Sequence, residues 1–313
     1  MEKKYVILCD NSCEFSEDVR KKYDIEVILG HFTTPDGKEH QAFLDWNEWD
    51  RDKFYQELKK NPNGFKTSPP SIVEYKVCFE SYVKEGLGIL AIALSTGISG
   101  SHSFMVKAKE EVLTKYPNAE IEIIDSLRFG PGYGLIAIEA SLRRAKGATL
   151  SELAKWIEEN KNCYHQTGWM DDLSFVAKKG RLTHAKAFFG SLVGVKPIGE
   201  FDYNGLTTVI GKAKGEKQAF QVLLEYMARH IVNPEEQIII VATSNRQKQA
   251  NMFCEMIKER FHPKDVFVND IYSSCGINIG PGLMAAYYYG KPISHGLVEE
   301  TKVLSEILSK TKE

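Results

Sequence analysis

The sequence lacks the features that define several common classes of protein. Neither sign of charge is in excess, because 40 basic and 42 acidic residues give a net charge of −2. That balance argues against bulk nucleic acid or an anionic membrane surface as the main partner. The sequence has no run of the roughly 20 apolar residues that cross a bilayer, and residues 1–8 do not resemble a signal peptide. We expect a soluble, cytoplasmic protein whose contact with any membrane is transient.

Signatures of metal centres and of nucleotide-dependent enzymes are also missing. The six cysteines form no CxxC pair and the eight histidines no HExxH motif, so we expect free thiols and no metal site. There is no GxxxxGK[ST] phosphate loop, and residues 130–134 read GPGYG rather than GxGxxG. Ser99 lacks the GxSxG spacing of a nucleophile elbow, and His102 is more typical of a packing or solvated residue than of its base. No cofactor is predicted.

Short apolar runs in the first half of the chain have the length of β-strands. Helical patterns separate these runs, which lie at residues 5–8, 25–29, 89–94 and 121–124. One helix is predicted to begin at Ser71, because Ser71 and Glu74 have the spacing of a capping box, and to end near Gly86. Unbroken apolar strands separated by helices indicate a parallel sheet with helices on both faces.

The second half of the chain has a different pattern. Three strands are predicted there, at residues 207–210, 237–243 and 266–268, with a helix at residues 245–260. Two segments rich in turn residues, 203–205 and 212–215, also suggest a different architecture from the first half. We therefore predict two α/β domains, comprising residues 1–160 and residues 161–313.

Small polar residues follow the predicted strands of the first half. Residues 9–12 read CDNS, residues 95–101 read STGISGS, and Asp125 and Ser126 precede the glycine-rich turn. A further cluster, TSPPS at residues 67–71, precedes a helix. Ligands of open parallel sheets bind at the carboxyl ends of strands, and helix N-termini favour anions. One such cluster is typical of a helix cap, but three at the strand ends of one sheet favour an anion-binding site.

Six segments together resemble the DegV family over nearly the whole chain. Residues 9–12 are similar to the family's T-D-S-[ST], residues 67–71 to T-S-Q-P-S, and residues 95–101 to S-S-x-L-S-G-T. The other three resemblances, to D-S before a glycine-rich turn, to K-G-G-R-I and to G-P-G, lie at residues 125–134, 178–182 and 280–282. Each motif alone is weak, but six in this order and at these separations are specific.

The resemblance implies two α/β domains with one long-chain fatty acid in a tunnel between them. It also implies that Thr67 and Ser99 bind the carboxylate, which agrees with hydroxyls that lie beside helix N-termini. The expected supporting polar network consists of Ser68, Ser95, Asp10, Ser12, Asp125, Ser126 and Asn278. The expected loops at the site contain Gly100, Gly130, Gly132, Gly280 and Gly282.

The resemblance further implies a carrier rather than an enzyme. Such a carrier presents its fatty acid to a separate fatty acid kinase, related to dihydroxyacetone kinases, which forms an acyl phosphate. Arg181 and Lys214 would then face the partner or the nascent phosphate. Arginine suits this role because its guanidinium group can bind phosphate oxygens in a bidentate way.

Two alternatives remain open at the level of sequence. One is an enzyme that acts on a small anionic or phosphorylated metabolite at the strand ends. The other is a lipid-responsive regulatory protein without a kinase partner. A long tunnel with apolar walls would favour a lipid, whereas a wide polar cleft would favour the metabolite. A partner kinase encoded by the same genome would distinguish the carrier from the regulator.

Asn278 departs from the family pattern, which usually has a histidine shortly before G-P-G. An asparagine side chain donates hydrogen bonds but does not titrate or carry a positive charge. We predict that fatty acid release depends weakly on pH, and that the Asn278→His variant releases the ligand with a steeper profile between about pH 5 and 8. The measurement is ligand release across that range for both proteins. Profiles of the same shape would contradict the prediction.

Overall fold

The computed structural model describes residues 4–183 and 194–311. The helices and strands up to residue 160 are β1 (Tyr5–Asp10), α1 (Glu17–Tyr23), β2 (Glu26–Ile28), β3 (His31–Thr33), β4 (Glu39–Gln41), α2 (Arg51–Lys60), β5 (Lys66–Ser68), α3 (Ile72–Lys84), β6 (Gly88–Ala93), α4 (Ser101–Lys115), β7 (Ile121–Asp125), α5 (Pro131–Ala145) and α6 (Leu150–Asn160). Those that follow are β8 (Tyr164–Met170), α7 (Ser174–Lys178), β9 (Leu182–Thr183), β10 (Val195–Phe201), β11 (Thr207–Lys214), α8 (Gly215–His230), β12 (Ile238–Thr243), α9 (Gln247–Phe261), β13 (Asp265–Asp270), α10 (Ser273–Ile279), β14 (Leu283–Tyr289) and α11 (Val298–Lys310).

The first large sheet is parallel, with strand order β2-β1-β6-β7. Alternate residues of a strand point to opposite faces, and both faces of this sheet are covered. Val6 and Leu8 pack against α3 and α4, whereas Ile7 and Cys9 belong to the core on the side of α5. The predicted α/β class, with a parallel sheet between helices, is confirmed.

The predicted start of α3 is confirmed in atomic detail. The Ser71 side chain accepts a hydrogen bond from the Glu74 backbone N–H at 3.2 Å, and the Glu74 carboxylate accepts one from the Ser71 N–H at 2.7 Å. This reciprocal pair satisfies donors that have no partner within the helix. Gly86, with φ of +76°, follows the end of the helix.

The second large sheet is mixed, with strand order β13-β12-β14-β8-β10-β11-β9. The pairs β12–β13 and β11–β9 are parallel and the others antiparallel. The segment rich in turn residues at 212–215 belongs to regular structure, because β11 continues to Lys214 and α8 begins at Gly215. Ala213 is buried between the exposed Lys212 and Lys214. Burial therefore alternates along this segment, as it does in a strand with one solvent-exposed face.

Helix α5 lies between the two large sheets. It packs against β1 and β6 on one side and against β8, β12 and β14 on the other. Ten of its 15 residues are buried, which is more than one apolar stripe along a helix provides. The two sheets therefore share a single layer of core residues that includes Ile7, Ile138 and Tyr287.

A small three-stranded sheet, with order β4-β3-β5, links the two halves and carries Thr67. Its aromatic core, which includes Phe32 and Phe54, also contains Phe175 and Ile277 from the second half. The Tyr55 hydroxyl donates to the Ile271 carbonyl oxygen at 2.6 Å. These contacts hold β5 beside α10, and so bring residue 67 close to residues from the C-terminal end of the chain.

Three further findings concern the chain as a whole. All six cysteines are free thiols, and only Cys78 is not buried. Among the helices of the described residues, none is both long and apolar enough to cross a membrane. The division into domains at residue 160, where α6 ends, stays a prediction.

Candidate functional site

A cavity lies between the two large sheets, at the carboxyl ends of β1 and β6. The free space available to the centre of a water-sized sphere is about 180 Å³. The apolar part of its wall includes Leu94, Phe129, Leu173, Val176, Val209 and Leu283. The polar part includes Ser12, Thr67, Ser68, Ser99, Arg181 and Asn278. Hydroxyls and a positive charge therefore meet an apolar wall in one cavity.

Thr67 lies on β5, where its hydroxyl accepts a hydrogen bond from Asn278. The distance from Asn278 Nδ2 to Thr67 Oγ1 is 3.0 Å, and Nδ2 also donates to the Ser274 carbonyl oxygen at 3.1 Å. A threonine hydroxyl has one hydrogen to donate. Because Thr67 acts as acceptor towards Asn278, that hydrogen is available to an acceptor in the cavity.

Ser99 follows β6, and its hydroxyl is placed in a similar way. The backbone N–H of Ser101 donates to Ser99 Oγ at 3.2 Å, which leaves the hydroxyl hydrogen of Ser99 to donate. The Arg181 guanidinium lies next to this loop, since Nε donates to the Ile98 carbonyl oxygen at 3.4 Å and Nη1 to that of Lys179. Two hydroxyl donors and one cation thus line the same region.

Asp10 supports the loop that carries Ser99, although Asp10 is not among the residues that line the cavity. The carboxylate is fully buried and accepts from the Ser12 N–H at 2.9 Å, from the Tyr133 hydroxyl at 2.8 Å and from the Ser101 hydroxyl. Burial and the charge of Asp10 raise the pKa of Tyr133, so its hydroxyl remains a donor. Through Ser101, Asp10 holds the loop that carries Ser99.

The remaining predicted residues divide into two groups. Ser12, Ser68, Gly100 and Asn278 line the cavity. Those that support neighbouring loops instead are Ser95, Asp125, Ser126, Gly130, Gly132, Gly280 and Gly282. Ser95 donates to the Gly205 carbonyl oxygen at 2.8 Å and so joins the two halves. Lys214 is exposed at the end of β11 and is not among the lining residues.

Three basic residues cluster at the rim of the cavity. Lys66 precedes Thr67 in the chain, and the Lys179 amine donates to the Phe65 carbonyl oxygen at 2.9 Å. Burial, followed by the charges of Arg181 and Lys66, lowers the pKa of Lys179. The charges of Arg181 and Lys66 thus add to the effect of burial on Lys179.

Glu200 is a buried carboxylate in the cavity wall that the sequence analysis missed. Burial alone would raise its pKa, but hydrogen bonds, that from His165 first, outweigh burial and lower the pKa of Glu200. Its donors are His165 Nδ1 at 3.0 Å, the Thr167 hydroxyl at 2.7 Å, the Tyr226 hydroxyl at 3.4 Å and the N–H groups of Gln166 and Phe201 at 2.7 and 2.9 Å. The oxygens are occupied by the protein, so this carboxylate holds β8 and β10 together.

Arg128 was also missed, and it connects the loop after β7 to the second half. It is fully buried and donates to Asn162 Oδ1 at 2.6 Å and to the Asp202 carbonyl oxygen at 3.2 Å. Burial lowers the pKa of Arg128 to about 10. No motif marks this arginine, because its partners lie 34 and 74 residues further along the chain.

A family model and a curated relative both match nearly the whole chain. A family model described as "Uncharacterised protein, DegV family" matches residues 4–291. The chain belongs to the DegV family. A DegV domain-containing protein of Clostridium perfringens is 33% identical to it over 292 residues, which cover 92% of this chain and 98% of the relative. Both matches therefore extend across the two halves that line the cavity.

Solved structures of the DegV family share the fold. A fatty acid-binding DegV protein from Thermus thermophilus has a TM-score of 0.82 at 19% identity, over 92% of this chain and 99% of that one. The Streptococcus pneumoniae Fatty Acid Kinase B3 protein, loaded with linoleic acid, has a TM-score of 0.76 at 19% identity, over 91% and 99% of the two chains. Identities this low establish the fold alone.

Glu14 supports the helix that carries Asn278. Its fully buried carboxyl accepts hydrogen bonds from the Tyr272 N–H at 2.5 Å and the Cys275 N–H at 3.2 Å, at the start of α10. Burial raises the pKa of Glu14 from 4.5 to about 8. The folded protein therefore holds the Glu14 proton more tightly than the unfolded chain, and this favours folding fully below pH 4.5 and progressively less as the pH rises to about 8.

We predict that the Glu14→Gln variant loses this pH dependence. Between about pH 5 and 8, the unfolding free energy of the wild type should fall relative to that of Glu14→Gln by up to about 1.4 kcal/mol per pH unit. Denaturant unfolding at several pH values measures the difference. Glu259→Gln, on an exposed part of α9, is the control and should follow the wild type. A Glu14→Gln profile parallel to that of the wild type would show that Glu14 does not titrate in this range.

Proposed function

We propose that this protein binds a single long-chain fatty acid and presents it to a separate fatty acid kinase for acyl phosphate formation. In this proposal, Thr67 and Ser99 hold the carboxylate and the acyl chain lies against the apolar wall. The observation that carries the proposal is the position of these two hydroxyls in one largely apolar cavity, each with its hydrogen left to donate. The fatty acid-binding members of the family support the same ligand class.

The chemistry of the cavity suits a fatty acid better than a small polar metabolite. An anion removed from water is costly unless it receives hydrogen bonds, and hydrogen bonds from hydroxyls to a carboxylate are charge-assisted. The apolar wall, with Leu94, Leu173 and Val209, offers a hydrocarbon chain the burial that drives its binding. A small phosphorylated metabolite would leave that wall without a partner.

The basic rim supports a transfer of the ligand to a partner. Arg181 lies beside the loop that carries Ser99, and the charges of Arg181 and Lys66 both act on Lys179. A guanidinium in this position would bind the phosphate as it forms on the carboxylate, or an acidic group of the kinase. Catalysis is assigned to the kinase, and this protein acts as the carrier. Lys214 is assigned a contact with the kinase on the outer surface.

The protein purified from a heterologous host should contain one fatty acid per chain. Native mass spectrometry would show the added mass, and extraction into organic solvent would release the acid for identification. Binding follows from the apolar burial, which favours retention of the ligand through purification. An empty protein that also fails to bind added palmitate or oleate would contradict the proposed function and favour a small polar anion.

Removing either hydroxyl should weaken binding of the carboxylate. We predict that Thr67→Val and Ser99→Ala each lower the affinity for palmitate by about tenfold or more, because each removes a hydrogen bond to a charged group. Thr114→Val, on the exposed surface of α4, and Ser151→Ala, on that of α6, are the matched controls. Displacement of a fluorescent fatty acid measures the affinities. Palmityl alcohol, which has no carboxylate, distinguishes loss of a carboxylate hydrogen bond from a general disturbance of the cavity. A variant that binds both palmitate and palmityl alcohol more weakly would have a disturbed cavity.

A further inference from the structure

The floor of the cavity is formed by two neighbouring strands of the second sheet. Strands β8 and β14 are antiparallel, and their cavity-lining residues are paired directly across the two strands. These pairs are Met170 with Leu283, Gly168 with Ala285 and Gln166 with Tyr287. Along the floor, a large apolar pair is therefore followed by a small pair and then by a pair that carries an amide and a phenol.

The side-chain amide of Gln166 has a defined orientation. Gln166 is only 6% exposed, and its Oε1 accepts from the backbone N–H of Phe129 at 2.8 Å. The oxygen must face that donor, so the NH₂ group is directed elsewhere. Gly132 leaves room for this arrangement, because a Cβ atom at residue 132 would lie 2.4 Å from Gln166 Oε1.

The NH₂ group of Gln166 has no hydrogen-bond partner among the residues that the structure describes. Buried donors are nearly always paired, so an unpaired one requires an explanation. Tyr287 lies opposite Gln166 and also lines the cavity, and burial raises the pKa of Tyr287. The phenol is thus protonated at neutral pH, and both residues of this cavity-lining pair carry a hydrogen-bond donor.

We propose that Gln166 and Tyr287 form a subsite for an oxygen atom on the acyl chain. The preferred ligand would then be a long-chain fatty acid with a hydroxyl or carbonyl group part-way along its chain. This inference rests on the proposed function, since it assumes that an acyl chain lies along the floor. The subsite consists of residues other than Thr67 and Ser99, which are proposed to hold the carboxylate.

The chemistry of the pair favours an oxygen acceptor over a plain hydrocarbon. A saturated chain would cover the Gln166 amide and leave its NH₂ group without either water or a partner. A ligand oxygen at the same point would accept from Gln166, and the Tyr287 hydroxyl could donate to its other lone pair. A site built to bond a ligand oxygen rejects an analogue that lacks it, because the donors are then left unpaired. An ordered water between the two side chains is the competing explanation.

The test compares stearic acid with a series of hydroxystearic and oxostearic acids that differ in the position of the oxygen. In the wild type, at least one isomer should bind about tenfold more tightly than stearic acid. Gln166→Met should abolish that preference while binding stearic acid as well as the wild type or better. Gln166→Leu removes the NH₂ donor with an apolar side chain of a different shape, and should also abolish it. Tyr287→Phe should reduce it.

Controls separate this inference from the proposed function. Thr67→Val should weaken stearic acid and its oxygenated isomers by the same factor, because it acts on the carboxylate. Thermal melting checks that each variant is folded, and Tyr287→Phe and Gln166→Leu carry the test if Gln166→Met does not fold. Stearic acid that binds the wild type as tightly as every isomer would overturn this inference alone, as would a preference that survives in Gln166→Met. Failure of every acid to bind would overturn the proposed function and this inference with it.

Discussion

The structure depends on the packing of one helix between two sheets. A helix with its side chains is about 10 Å across, so two sheets that both contact α5 are held about that far apart. The cavity lies next to the N-terminal end of α5, where Phe129 and Gln166 line it. Beyond the N-terminal end of α5 no helix fills the gap between the two sheets, and a cavity remains there. The position of the cavity is therefore a consequence of where α5 begins.

The glycine-rich segment at the start of α5 explains how the helix contacts both sheets so closely. A Cβ atom at residue 132 would meet the Gln166 side chain of the second sheet at 2.4 Å. A Cβ atom at residue 134 would meet the Phe15 ring, on the side of the first sheet, at 2.5 Å. Both glycines thus serve close approach. GPGYG differs in spacing from a nucleotide-binding turn, and its glycines here allow side chains of both halves to pack against the helix.

The sequence predicted those features whose causes are local. The strands of the first sheet are continuous apolar runs, and the capping box of α3 is formed by residues three apart. Strand β8 was missed because His165, Gln166 and Thr167 interrupt its apolar pattern, although all seven of its residues are buried. Their burial is stabilised by Glu200, more than 30 residues further along the chain. Partners at that separation leave no periodic signal, and the same holds for Arg128.

The candidate site was predictable to the extent that it repeats short motifs. Thr67, Ser99 and Asn278 were named from separate motifs, and the structure brings all three to one cavity, although 211 residues separate Thr67 from Asn278. The subsite at Gln166 and Tyr287 could not be found in this way. It arises from the register of β8 against β14, and register depends on the complete set of paired residues rather than on any one segment.

In the proposed complex, acyl chain length controls the strength of binding, whereas the Gln166 subsite controls the preference between acids of equal length. Each buried CH₂ group contributes about 0.8 kcal/mol, whereas one buried donor left unpaired costs about 1–3 kcal/mol. An unpaired amide therefore offsets the burial of about one to four CH₂ groups. A sufficiently long saturated acid still binds, so Gln166 decides which of two acids of equal length is preferred. Loss of the hydrogen bonds from Thr67 and Ser99 to the carboxylate is not offset in this way, because the apolar wall has no hydrogen-bond donor to replace them.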